Sequence, residues 1–176
     1  MLTGEVAALR ARHDSDIPVL EAELYADVAM RSRSDTRPWR PIPPGSAASP
    51  FRVTDPREDP AEFSVVELAS EELAGDAVLW GVDTHNRVAH IGLSLRPSFR
   101  GRGLGVDTVR LLCRYGFEVR GMHRLQVDTL ADNDAMIRAA TQAGFTREGT
   151  LRQASWVTGA FADEVILGQL ISEWLG

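Results

Sequence analysis

The sequence predicts an α/β fold: one domain built on a mixed, mostly antiparallel sheet with helices on both faces. Three observations carry this. Strand-like apolar runs follow one another closely over 63–68, 77–83 and 87–95, and a helical periodicity fills 104–119. A strand, a small-residue helix and two further strands then close the chain. At 176 residues the chain can bury one sizeable core but is short for two, so a single unit over 1–176 is expected.

Glu5 to Arg12 reads as an opening strand. Asp14 or Ser15 can cap a helix running to about Met30, with Ile17, Leu20, Leu24 and Val28 as its buried stripe. Ser32 to Ala61 holds most of the nine prolines, and Arg37-Pro38-Trp39-Arg40-Pro41-Ile42-Pro43-Pro44-Gly45 within it can be neither regular helix nor central strand. What precedes this segment is too short to fold alone, so it reads as a loop region of the same domain. The three strands that follow are separated by turns near Glu71 to Gly75 and Thr84 to Asn86, a spacing suited to antiparallel neighbours. Pro97 then ends the third strand.

In the long helix, Leu104, Thr108, Leu111, Leu112, Tyr115 and Val119 form one apolar line and Val106, Val109, Cys113 and Phe117 a second. Arg110 and Arg114 occupy the remaining face. Arg124 to Leu130 reads as a strand, Asp132 to Ala143 as a helix, and about 147–157 and 161–172 as terminal strands joined at Gly159-Ala160.

Composition narrows the function. A net charge of −6, from 25 acidic and 19 basic side chains, disfavours a nucleic-acid surface or an anionic-membrane surface. No apolar run approaches the roughly 20 residues that span a bilayer, and no signal-peptide pattern opens the chain, so a cytoplasmic location is expected. The lone Cys113 excludes an internal disulfide and a cysteine-cluster metal site, and it reads as core. No metal is expected. Asp55, Glu58, Asp59, Glu62, Glu67, Glu71 and Glu72 crowd one stretch, whereas Arg96, Arg100, Arg102, Arg110 and Arg114 surround one loop. These can be opposite ends of a site or ordinary solvated charge.

That loop, Arg100-Gly101-Arg102-Gly103-Leu104-Gly105, sits between strand and helix. Glycines there let main-chain amides approach an anion beside the positive end of a helix. It fails the dinucleotide pattern G-x-G-x-x-G, since the last position is Val106 or Thr108, and it lacks the Gly-Lys-Ser/Thr of a P-loop. It matches [Arg/Gln]-x-x-Gly-x-[Gly/Ala] at Arg100, Gly103 and Gly105. A ligand-free turn is the alternative.

Beside Asn86 to Gly92, Leu95 to Gly105, Asn133 and Ala143-Gly144-Phe145, this loop resembles the GNAT superfamily of N-acetyltransferases, and within it the RimJ/RimL branch that acetylates ribosomal-protein N-termini. Arg147 to Arg152 and Gly159 to Asp163 are similar to that branch too. The resemblance implies a splayed central strand pair and transfer of acetyl from acetyl-CoA to a primary amine, either a protein N-terminus or a small molecule. It further implies a pyrophosphate held by the amides of Arg100, Gly101, Arg102, Gly103, Leu104 and Gly105, and backbone around Leu93, Ser94 and Leu95 pairing with the pantetheine arm. Asn133 matches a residue that contacts that arm, although it equally reads as a helix cap. The proline-rich segment would wall the acceptor pocket, with Trp39 facing the acceptor or plugging the structure. A non-catalytic acyl-CoA sensor of the same fold is the other functional reading.

Direct attack needs a base for the acceptor ammonium and no covalent enzyme intermediate. His90 and Asp128 are the candidate bases, with Glu67 and His85 as weaker candidates on the acceptor side. The leaving thiolate needs a proton, but the position where many family members carry tyrosine is Ala140 here, which leaves Ser155, Tyr115 or water. Trp156 can line a pocket or pack in a core or dimer, and Trp174 can support a homodimer.

Overall fold

In the computed structural model, residues 1–35, 37–55 and 59–174 are described. Glu58 of the acidic stretch, with Thr36, Pro56, Arg57, Leu175 and Gly176, lies outside the described residues. The strands are β1 (Leu2–Thr3), β2 (Ala7–Arg10), β3 (Ala61–Glu67), β4 (Leu73–Asp83), β5 (Val88–Leu95), β6 (Arg124–Leu130), β7 (Thr146–Val157) and β8 (Ala160–Leu170). They form one eight-stranded sheet in the order β1-β2-β3-β4-β5-β6-β8-β7. Every pairing is antiparallel except β5 with β6.

The helices are α1 (Ile17–Leu20), α2 (Val28–Ser34), α3 (Leu104–Arg114), α4 (Asp134–Gln142) and a last turn, α5 (Ile171–Trp174). They cover both faces. Leu104, Val109, Leu112 and Cys113 of α3 join Val65, Leu79, Ala89, Leu125, Val127 and Leu167 of the sheet in the main core. On the other face Leu20 and Leu24 pack with Phe51 as a smaller core. Alternation along β3 makes the division: Val65 enters the main core, whereas the hydroxyl of its neighbour Ser64 donates to Asp16, just before α1.

Two helical expectations are corrected. The predicted helix to Met30 breaks: a wider π turn over Glu21–Tyr25 follows α1, and Asp27 then caps α2 through its bond from the Met30 amide. The restart changes the phase, so Val28 is exposed. A second π turn, Tyr115–Val119, ends α3 and turns Val119 out to solvent. The opening strand is shorter than expected and is preceded by β1. Buried Asp107 on α3 was not anticipated; its carboxylate accepts from the amides of Val6 and Ala7 at 2.8 Å each, pinning β2 to the helix. Cys113 is core as expected, its thiol pushed up to about 12 by burial.

Candidate active site

The geometry begins with a gap. β5 and β6 pair only at Val88–Arg124, Ala89–Leu125 and His90–Gln126, while Gly92 to Leu95 remain bonded to β4 on the other side. Beyond His90 the parallel neighbours therefore part, leaving one edge of Leu93, Ser94 and Leu95 without a strand partner. Leu93 and Leu95 direct their side chains toward the main core, so what they offer the gap is backbone.

The gap opens toward the glycine loop. Gly101 and Gly103 have φ of 74° and 81°, and an added Cβ at either position would point into open space. Gly103 is the N-cap of α3 and provides no side-chain cap. Among the described residues, the amides of Gly101 through Val106 have no acceptor outside the helix's own pattern. A cluster of unpartnered donors at the start of an eleven-residue helix is what a pyrophosphate requires, so the residues present fit CoA. Leu104 itself is buried, anchoring the loop to the core, and a Cβ added at Gly105 would meet Leu95 and Ala139 only at ordinary contact distance. Arg100 folds back to donate to the Leu95 carbonyl at 3.0 Å. Arg102 lies over the Phe99 ring and pairs with Glu67 at 3.2 Å.

At the vertex of the gap the two candidate bases meet. His90 Nδ1 lies 2.6 Å from Asp128 Oδ2, a bridge across the last paired register of β5 and β6. Each side chain is 26% exposed, on the sheet face opposite the main core. The indole of Trp80 on β4 stacks on the imidazole at 4.6 Å between ring centroids. Burial resists ionisation of Asp128, but the bonds from His90 and Gln126 and the charge of Arg124 outweigh it, holding the carboxyl below its usual range. The dyad is thus a carboxylate bound to one imidazole nitrogen, with the ring fixed by a stacked indole.

The other candidates lie elsewhere. Glu67 is at the loop end of the sheet, accepting from Ser70 and Arg102, and is distant in register from His90. Of the acidic stretch, Glu67 sits among the loop arginines, paired with Arg102, and Glu23, outside that stretch, pairs with Arg96. His85 lies in the exposed β4–β5 turn, where its amide donates to Asp83. Ser155 is on the edge strand β7 and donates to Glu164, two strands from Asp128. Trp39 donates to the Tyr25 carbonyl at 3.0 Å with its ring beside that tyrosine, which ties the proline-rich segment to the π turn after α1. Asn133 caps α4 by accepting from the Met136 amide and also donates to Thr129. Ala140 is fully buried. Trp156 is not core: it is exposed and packs edge-on against the equally exposed Phe161. Trp174 donates to Glu118 and stacks near Phe117 within its own chain.

Sequence reasoning missed Trp80, Arg124 and Glu148 as parts of this face. The alternation Arg124, Gln126, Asp128 was its available signal, because three polar residues at steps of two mark one unburied side of a central strand.

A family model described as an acetyltransferase (GNAT) domain matches residues 8–146, from β2 through the start of β7. The putative ribosomal N-acetyltransferase YdaF of Bacillus subtilis (strain 168) is 28% identical over 163 residues, covering 89% of each protein. The spermidine N(1)-acetyltransferase of Escherichia coli (strain K12) is 25% identical over 107 residues, or 61% of this chain and 58% of that enzyme. Among solved structures, spermidine N-acetyltransferase from Vibrio cholerae in complex with CoA and spermine shares the fold, with a TM-score of 0.81 at 19% identity over 97% of this chain and 98% of that one. With the splayed strands, the amide cradle and this match together, the chain belongs to the GNAT family of acetyltransferases and is an acetyl-CoA-dependent N-acetyltransferase.

Proposed function

We propose that the acceptor is the N-terminal α-amine of a protein, as in the RimJ/RimL branch, and that His90 is the general base, oriented by Asp128. The observation that carries this reading is the dyad's position, at the vertex of the β5–β6 gap and on an open sheet face. Acetyl-CoA supplies the acyl thioester, at which the amine nitrogen forms a C–N bond as the C–S bond breaks. His90 Nε2 takes the proton that the attacking nitrogen must lose, and Asp128 stabilises the resulting imidazolium. The amides of Gly101 through Gly105 hold the pyrophosphate, and the free backbone edge of Leu93 to Leu95 aligns the pantetheine arm. Ala140 offers no proton, so the thiolate is protonated from solvent or from another donor along the gap.

Two arguments favour a protein N-terminus. An α-ammonium ionises near 8 and an alkyl ammonium near 10.4, so freeing the former at neutral pH costs about 3 kcal/mol less, within reach of a histidine base. The dyad is also accessible: the His90 and Asp128 side chains are each 26% exposed on the sheet face opposite the main core, which suits a chain end laid over that face. YdaF, similar over most of its length, points the same way. The spermidine-acetylating relatives favour a second reading, a polyamine acceptor. CoA release measured with free-N-terminus peptides and with spermidine tests the choice. Peptides acetylated at the α-amine support the first reading, turnover of spermidine alone supports the second, and saturable acetyl-CoA binding without turnover on any amine supports a sensor.

A further inference from the structure

The open face carries a continuous line of polar contacts from the edge strand to the dyad. Glu148 on β7 bonds Arg124 on β6 through Nη1 at 2.7 Å and Nη2 at 2.5 Å. Arg124 Nη2 also donates to Gln126 Oε1 at 3.0 Å, Gln126 Nε2 donates to Asp128 Oδ1 at 2.8 Å, and Asp128 Oδ2 meets His90 Nδ1. Each link has a fixed sense. A guanidinium has only donors, so it takes the amide oxygen of Gln126; the amide nitrogen must then face Asp128, and the carboxylate can only accept. The proton in the last link belongs to His90 Nδ1.

One feature of the sheet makes the line possible. β8 lies between β7 and β6, and the Arg124–Glu148 pair crosses it at Gly168, the register partner of Gln126. A Cβ there would stand 2.4 Å from Arg124 Nη1 and 2.5 Å from Glu148 Oε1. The bulge between Arg147 and Gly149 supplies Glu148 as the extra residue at this crossing.

We infer that Gln126, steered by the Arg124–Glu148 pair that crosses β8 at Gly168, is a positioning residue that holds the Asp128 carboxylate in the rotamer that meets His90, and through it keeps Nδ1 protonated and Nε2 free to accept the amine's proton. This rests on the reading of His90 as base. A carboxylate alone permits the same tautomer but leaves its own rotation open. The Gln126 amide binds the second carboxylate oxygen and closes that freedom.

The test combines spectroscopy with kinetics. In protein labelled with 15N-histidine, long-range proton–nitrogen correlation is expected to give an Nδ1-H pattern for His90, identified by its loss in His90→Ala. Gln126→Leu and, separately, Gly168→Ala are expected to mix the two tautomers. They should lower kcat roughly tenfold to a hundredfold, with KM for acetyl-CoA unchanged, on the best acceptor of the peptide and spermidine panel. Gln126→Leu introduced into His90→Ala should cost nothing further, because the effect passes through the imidazole. An Nε2-H pattern in the wild-type protein overturns the inference, as does a wild-type pattern and rate in Gln126→Leu while His90→Ala is impaired. Full activity in His90→Ala overturns the base assignment instead, and the nitrogen pattern then still decides whether Gln126 sets the tautomer. Gly168→Ala, on a partner strand, guards against a direct packing effect of the leucine.

Discussion

At His90 three contacts of different kinds converge: a carboxylate at Nδ1, an indole on the ring face, and the end of a strand pairing at its backbone. Removing the imidazole should therefore cost chemistry more than binding. His90→Ala is expected to lower kcat by roughly 10²-fold or more, with KM for acetyl-CoA little changed, in steady-state assays of CoA release. Asp128→Asn keeps the shape but lets an amide face Nδ1, so a loss of similar direction is expected in the same assay. His90 and Asp128 were both visible in the sequence as rival bases. Their partnership was not, because it depends on the parallel register of two strands separated by the whole of α3, and nothing in either strand's alternation sets that register.

At the scale of the element, the loop before α3 trades stability for open amides. Gly103→Val finds room for its side chain but must adopt φ near 81°, at a cost of about 1–3 kcal/mol, and it crowds the donors of the cradle. The expected outcome is a folded protein whose Kd for CoA, measured by calorimetry, rises at least tenfold. Asn133→Ala separates two roles on α4. Loss of the cap alone should lower stability by about 1 kcal/mol, and any weakening of CoA binding beyond that identifies a contact with the cofactor arm. The strands and α3 were legible because alternation and three-four spacing survive in buried elements; β6 starts and stops at Arg124 and Leu130 as read. The π turns after α1 and α3 were not legible. They insert a residue into a helical turn without changing composition, and so the faces assigned to Val28 and Val119 rotated out of the core.

For the molecule as a whole, buried carboxylates stitch distant segments together. Asp16 accepts from Arg10 at 2.6 Å, Ser64 at 2.7 Å and the His13 amide at 2.9 Å, joining the start of α1 to β2 and β3. Burial opposes its charge, but these donors prevail and hold its pKa well below the ordinary 3.8. The stabilisation is therefore complete above that value and is lost as pH falls through the folded pKa. Asp16→Asn should lower stability by about 2–4 kcal/mol at pH 7 in denaturant melts, with the difference from wild type shrinking in strong acid. Asp76 acts in the opposite sense: burial raises it to about 6 against the pull of Arg12, so its contribution declines as pH climbs from about 4 through about 6. The chain's one sulfhydryl has a practical bearing on all the kinetic tests above. Sealed beneath α3 and reluctant to ionise, Cys113 is hidden from disulfide-exchange dyes, so the colour they develop with the folded enzyme counts liberated coenzyme without a protein blank, and a cysteine placed on the surface would be the sole handle for a spectroscopic tag.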